Sequence, residues 1–106
     1  MDFETLFNEQ KFGDVTIAVD GKEFLAYKGI LASRSLVLAA MFEHRMLEKE
    51  QNRIVITDVG HTVIKEMLIY IYTGRSPSVW SMSNDLLIVA DKYELDGLKI
   101  MCVKKL

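Results

Sequence analysis

At 106 residues, with 50% hydrophobic and 26% charged residues, the chain has the make-up of a globular domain and not of a disordered segment. Its formal net charge is -2 and its Lys and Arg residues are scattered, which argues against the basic stripe of a nucleic-acid binder. Cys102 is the only cysteine, so no intrachain disulfide is possible and a reducing compartment, nucleus or cytoplasm, is expected.

The length fits one domain over residues 1-106. A domain of this size buries only about two-thirds of its unfolded surface. So apolar a chain therefore points to further burial by self-association. No N-terminal stretch has the basic start and apolar run of a secretory signal. Apolar runs such as Met67 to Tyr72 are far too short to cross a bilayer, so no membrane contact is expected.

In chain order, Asp2 is placed to cap a short helix whose apolar residues Phe3, Leu6 and Phe7 follow i, i+3, i+4 spacing. Such a helix is too short to be stable alone, so its apolar face packs on the domain body or on a second copy. Val15, Ile17 and Val19 alternate with Thr16 and Ala18, and Asp20-Gly21 supplies a two-residue hairpin turn before Lys22 to Ala26. Two helical segments follow, Lys28 to Arg34 and Ser35 to Glu43, with Ser35 able to cap the second.

Phe24 to Glu48 is dense in apolar residues yet contains no catalytic arrangement, and it reads as a surface for gripping other proteins. Met41 and Phe42 have helical spacing within it and read chiefly as core. The strongly charged Arg45 to Asn52 is an exposed loop or a frayed helical extension, and Arg53 to Ile56 a short strand. Asp58 is expected to cap a helix through Thr73, with Val63, Ile64, Met67, Leu68 and Ile71 on one face and Gly74 as its left-handed stop. After a loop ending at Pro77, Ser83 or Asn84 caps a helix through about Tyr93, and Asp96 caps a last one through Lys105. The pattern predicts an α+β fold, a cluster of helices with a small sheet.

His44 and His61 lie in different elements without metal-ligand spacing, and no nucleophile, phosphate-loop or zinc-protease motif occurs. Glu48 and Glu50 are the densest acidic pair but sit among Lys49, Arg45 and Arg53. The expectation is no catalytic residue, no metal, no cofactor and no enzyme activity. Tyr72 and Trp80 are aromatic candidates for a partner-facing surface.

Several blocks occur in order along nearly the whole chain. They are Phe12-Gly13-Asp14-Val15, Phe24-Leu25-Ala26-Tyr27-Lys28, Ile30-Leu31-Ala32-Ser33-Arg34-Ser35, Met41-Phe42, Asn52-Arg53, Ile56, Asp58-Val59, Glu66-Met67-Leu68, Ile71-Tyr72-Thr73-Gly74 and Ala90-Asp91-Lys92-Tyr93. Together they resemble a BTB/POZ domain, nearest to its MATH-BTB branch.

That resemblance implies a homodimer with Phe3, Leu6, Phe7 and Ile30 at the seam and with Asp14 and Lys28 as the family's charged pair near its centre. It also implies an adaptor that binds cullin-3 of a ubiquitin ligase. Met46-Leu47-Glu48 matches the family's hydrophobic-x-Glu motif, with Met46 as apolar anchor and Glu48 as polar contact. Substrate would be held only by domains outside this chain, which begins without a MATH domain and stops before the extra helices of related adaptors. The alternative is an oligomerisation unit of a transcriptional regulator without cullin binding. Tyr27, Leu36 and Leu38 depart from the family's usual histidine, proline and aromatic residue, so packing at the helix junction is expected to differ.

Overall fold

The computed structural model describes residues 13-43 and 52-104. The hairpin forms as the alternation requires. Strands β1 (Val15–Val19) and β2 (Lys22–Ala26) pair antiparallel, with Val15 opposite Ala26 and Val19 opposite Lys22. Asp20 at φ 57° and Gly21 at φ 77° are both left-handed, the backbone of a two-residue turn whose twist matches that of the strands.

The third strand, β3 (Arg53–Ile56), runs parallel to β1, with Ile54 beside Ile17 and Ile56 beside Val19, so the sheet order is β2-β1-β3. A parallel pair needs a long crossover. Here it holds β2 and the helices α1 (Lys28–Arg34) and α2 (Leu36–Glu43). Val15, Ile17, Val19, Ala26, Ile54 and Ile56 are buried on the sheet face that packs on the helices. On the opposite face Arg53 and Glu23 form an ion pair at 2.6 Å across the central strand.

Ser35 sits between α1 and α2, wholly buried. Its Oγ accepts the Leu38 N–H at 3.0 Å, as a cap should, and donates to the Tyr93 carbonyl at 2.8 Å. Helix α3 (His61–Thr73) carries the expected apolar stripe, and Glu66, Tyr70 and Tyr72 are buried as well. The Glu66 carboxylate accepts from the Ser76 hydroxyl at 2.7 Å and the Ser78 N–H at 2.8 Å, which fixes the loop after α3 to the helix. Gly74, at φ 77°, ends α3 in the left-handed conformation, and its N–H bonds to the Tyr70 carbonyl.

Three capping expectations are corrected. The residue before α3 is Gly60, without a side-chain cap, because the Asp58 carboxylate binds Lys92 at 2.8 Å instead. Helix α4 (Ser83–Lys92) starts after Met82, so Ser83 and Asn84 are its first helical residues and not its cap. Helix α5 (Asp96–Val103) starts after Leu95, which places Asp96 in the first turn, where its charge opposes the positive end of the helix dipole. A short 3-10 turn, Val79–Ser81, was not indicated by periodicity, since three residues are too few to show any.

Candidate interaction surface

The sequence places three groups of residues at interfaces. Phe3, Leu6 and Phe7 lie outside the described residues, as do Met46, Leu47 and Glu48 and also His44. Asp14, Lys28 and Ile30 are described and come from neighbouring elements: Asp14 just ahead of β1, Lys28 and Ile30 in the first turn of α1.

Asp14 and Lys28 do meet, though not as a side-chain ion pair. The Asp14 carboxylate accepts the backbone N–H of Lys28 at 2.7 Å, so its charge lies at the N-terminus of α1, where the first amides lack helical partners. The cap residue Tyr27 makes no side-chain cap of its own, which leaves that place to Asp14. The Lys28 ammonium donates to Asn52 Oδ1 at 2.7 Å and lies 5.9 Å from the Phe42 ring centroid. Asp14 is exposed, and Lys28 and Ile30 are half-buried.

Helix α2 is apolar on all sides, reading Leu-Val-Leu-Ala-Ala-Met-Phe-Glu, yet Leu38 is its only buried residue. Val37, Met41 and Phe42 reach the core edge and stay half-buried, and Leu36 is 76% exposed. A helix apolar all round is ordinarily enclosed, so this one carries more apolar surface than the other described residues cover. Beside it lies an open cleft whose lining includes Val37, Met41, Ile54, Val55, Asp58 and Lys92.

The Lys92 hydrogen bond holds the Asp58 carboxyl below the usual aspartate range, and Asp58 in turn raises the Lys92 ammonium. Burial pushes the Tyr93 phenol up, and Lys92, 5.5 Å from its ring centroid, pulls the other way. Burial likewise raises the Cys102 thiol, which keeps it protonated in the core. Tyr72 is 1% exposed and its hydroxyl accepts the Tyr27 N–H at 3.0 Å, so it serves the core and does not face a partner. Trp80, by contrast, is 56% exposed. Among the described residues no group of His, Cys, Asp and Glu is placed to hold a metal ion, and no helix is long and apolar enough to cross a membrane.

Two surface features escaped sequence reading. Asn52 as the Lys28 acceptor had no local signal, because its partner is 24 residues away. The exposure of Leu36 did have one, in the unbroken apolar run Leu36 to Phe42.

Residues 3–106 match the family model of the BTB/POZ domain. The chain belongs to the BTB/POZ family. Its fold is similar to that of the zebrafish PATZ1 BTB domain, at 18% identity over 94% of this chain and 80% of that one, with a TM-score of 0.81. It is similar also to the BTB domain of human gigaxonin, at 25% identity over 98% of this chain and 86% of that one, again with a TM-score of 0.81. The BTB/POZ domain is a protein–protein interaction module, and the uncovered apolar surface of α2 agrees with that role.

Proposed function

We propose that this BTB/POZ domain is a homodimeric adaptor of a cullin-3 ubiquitin ligase, nearest to the MATH-BTB branch and acting in the nucleus or cytoplasm. Residues 1-106 form one domain in this reading, and substrate is held by parts of the protein outside the chain. The dimer seam takes Phe3, Leu6, Phe7, Asp14, Lys28 and Ile30, and the cullin contact takes Met46, Leu47 and Glu48. Neither nucleic acid nor membrane is a partner, and the domain contributes no catalytic group.

The observation that carries the reading is α2. It is apolar all round with only Leu38 buried, and it leads directly into the segment that holds Met46 to Glu48. The open cleft beside α2, with apolar walls and the Asp58–Lys92 pair at 2.8 Å on its lining, has the mixed character of a docking site for a helix. Pairing two copies would bring two substrate-holding modules into one ligase and raise avidity through effective concentration.

Two measurements test this. The cullin-3 N-terminal region should bind the wild type and bind Met46→Ala more weakly by about tenfold or more, the loss of one interface anchor. No detectable binding at high micromolar protein rejects the adaptor role and leaves an oligomerisation unit. In sedimentation the wild type should run as a dimer and Leu6→Asp as a monomer. Identical monomeric behaviour of both rejects the seam.

A further inference from the structure

The run Arg75-Ser76-Pro77-Ser78, just after α3, holds two serines in patterns that protein kinases read. Ser76 precedes a proline, and Ser78 follows an arginine by three residues. The fold treats the two hydroxyls differently. Ser76 is buried, and its Oγ donates to the Glu66 carboxylate at 2.7 Å. Ser78 is exposed and bonds through its main chain alone among the described residues. Its N–H donates to the same Glu66 oxygen at 2.8 Å, and its carbonyl accepts from the Ser81 hydroxyl at 2.9 Å. Its own hydroxyl does not cap the 3-10 turn that follows.

Arg75 is exposed as well, and a guanidinium three residues ahead of the acceptor suits a kinase whose peptide cleft is lined by carboxylates. Glu66 supplies the consequence. It is 5% exposed, and the hydroxyl and amide that hold it are both neutral, so neither offsets a second negative charge.

We propose that Ser78 is a phosphorylation site for a kinase that reads Arg75, and that its phosphate opens the Glu66 latch between α3 and the loop after it. The γ-phosphoryl group of ATP passes to the Ser78 Oγ, the bond to the ADP leaving group breaks, and the hydroxyl proton is released. The new group carries a charge of about -1.5 to -2. Since the Ser78 N–H is itself 2.8 Å from the Glu66 carboxylate, the phosphate stands well inside the ~8 Å over which charges interact in physiological salt. Repulsion at a buried carboxylate weakens both bonds to Glu66, and the loop comes away from α3. Trp80, 56% exposed and two residues on, is carried by the same loop, so the modification alters the surface around it. The proposal does not depend on the adaptor reading.

The first test treats the full chain with MgATP and the catalytic subunit of cAMP-dependent protein kinase, an enzyme selective for arginine ahead of serine. A synthetic peptide spanning residues 72-84 serves as the unfolded control. One phosphate should enter the folded chain at Ser78, and Arg75→Ala should slow its entry by about tenfold or more, the loss of one charge-paired contact. A modified peptide with an unmodified folded chain overturns the site, since the fold then denies access. So does failure of both, or a phosphate found on Ser76 and not on Ser78.

The second test measures exchange of the Ser78 amide hydrogen in the full chain before and after modification, with the amides of α3 as the folding control. Phosphorylation should speed that exchange by about tenfold, the scale of one charge-assisted bond. Unchanged or slower exchange overturns the opening of the latch, because the phosphate would then order the loop. In Glu66→Gln, which keeps an acceptor and removes the charge, phosphorylation should leave the exchange unmoved. Equal acceleration there overturns repulsion as the cause. If Glu66→Gln does not fold, the direction of the change in the wild type decides by itself.

Discussion

Ser35 shows how much one buried hydroxyl does in this domain. It caps α2 through the Leu38 N–H at 3.0 Å and satisfies the Tyr93 carbonyl, 58 residues on, at 2.8 Å. Ser35→Ala removes the cap and leaves that carbonyl buried without its donor. The expected loss is about 1–3 kcal/mol of unfolding free energy, read as a lower urea midpoint at unchanged slope. A midpoint equal to that of the wild type would mean that water replaces the hydroxyl at both ends. Alanine is the informative substitution because Ser35 is wholly enclosed and a larger residue would add overpacking to the effect.

At the scale of elements, the ends of the helices carry much of the specificity. Arg34 donates from Nε to the Ile71 carbonyl at 2.8 Å and lies 5.4 Å from the Tyr70 ring centroid, which puts a cation at the negative end of α3. Gly74 completes that end at φ 77°, and a Cβ there would stand 3.3 Å from the Arg34 guanidinium. Gly74→Ala should cost about 1–2 kcal/mol, the steric cost of a left-handed alanine, measured by thermal or chemical unfolding.

The Asp58–Lys92 pair fastens the residues just after β3 to the end of α4 and makes stability depend on pH. Asp58 is held below its ordinary range in the folded state, so its contribution is complete above the unfolded aspartate pKa and is lost as pH falls through the lowered folded one. With the two side chains 48% and 51% exposed, solvent limits the effect to less than about 1 kcal/mol. Unfolding of wild type and Asp58→Asn across acid pH should show a gap that closes as the acid end is approached. A constant gap would trace the loss to packing instead of charge.

At the scale of the whole molecule, α2 separates stability from association. Leu36, at 76% exposure, contributes little to the core of a single copy. Leu36→Asp should therefore change the unfolding free energy by no more than about 0.5 kcal/mol, since an acidic residue is welcome in the first turn of a helix. The same variant should weaken dimerisation or cullin binding, whichever contact that face of α2 makes, in sedimentation and binding assays run side by side. If both associations match the wild type, α2 belongs to neither interface. If the domain unfolds, Leu36 is part of the core after all.

Much of this was legible in the chain, and the physical reason is range. Alternation in Val15 to Val19, the Asp20-Gly21 turn, the apolar stripe of α3 and the Gly74 stop all follow from backbone sterics and side-chain period over a few residues, and each is found where the sequence places it. The ordered motif blocks placed the chain in the BTB/POZ family for a similar reason, since they record its core and turns in sequence.

Only the tertiary structure decided which distant groups meet. Asp58 had a local use as a helix cap and a distant one with Lys92, 34 residues away, and the fold, which brings the end of α4 to the loop after β3, selected the second. Lys28 had Asp14 as its evident charge partner, but the folded chain gives Asp14 the helix amide and sends the ammonium to Asn52. The parallel pairing of β3 with β1 and the exposure of Leu36 belong with these. A charge, a strand edge or an apolar side chain states what it needs, and the fold determines which of several eligible partners arrives.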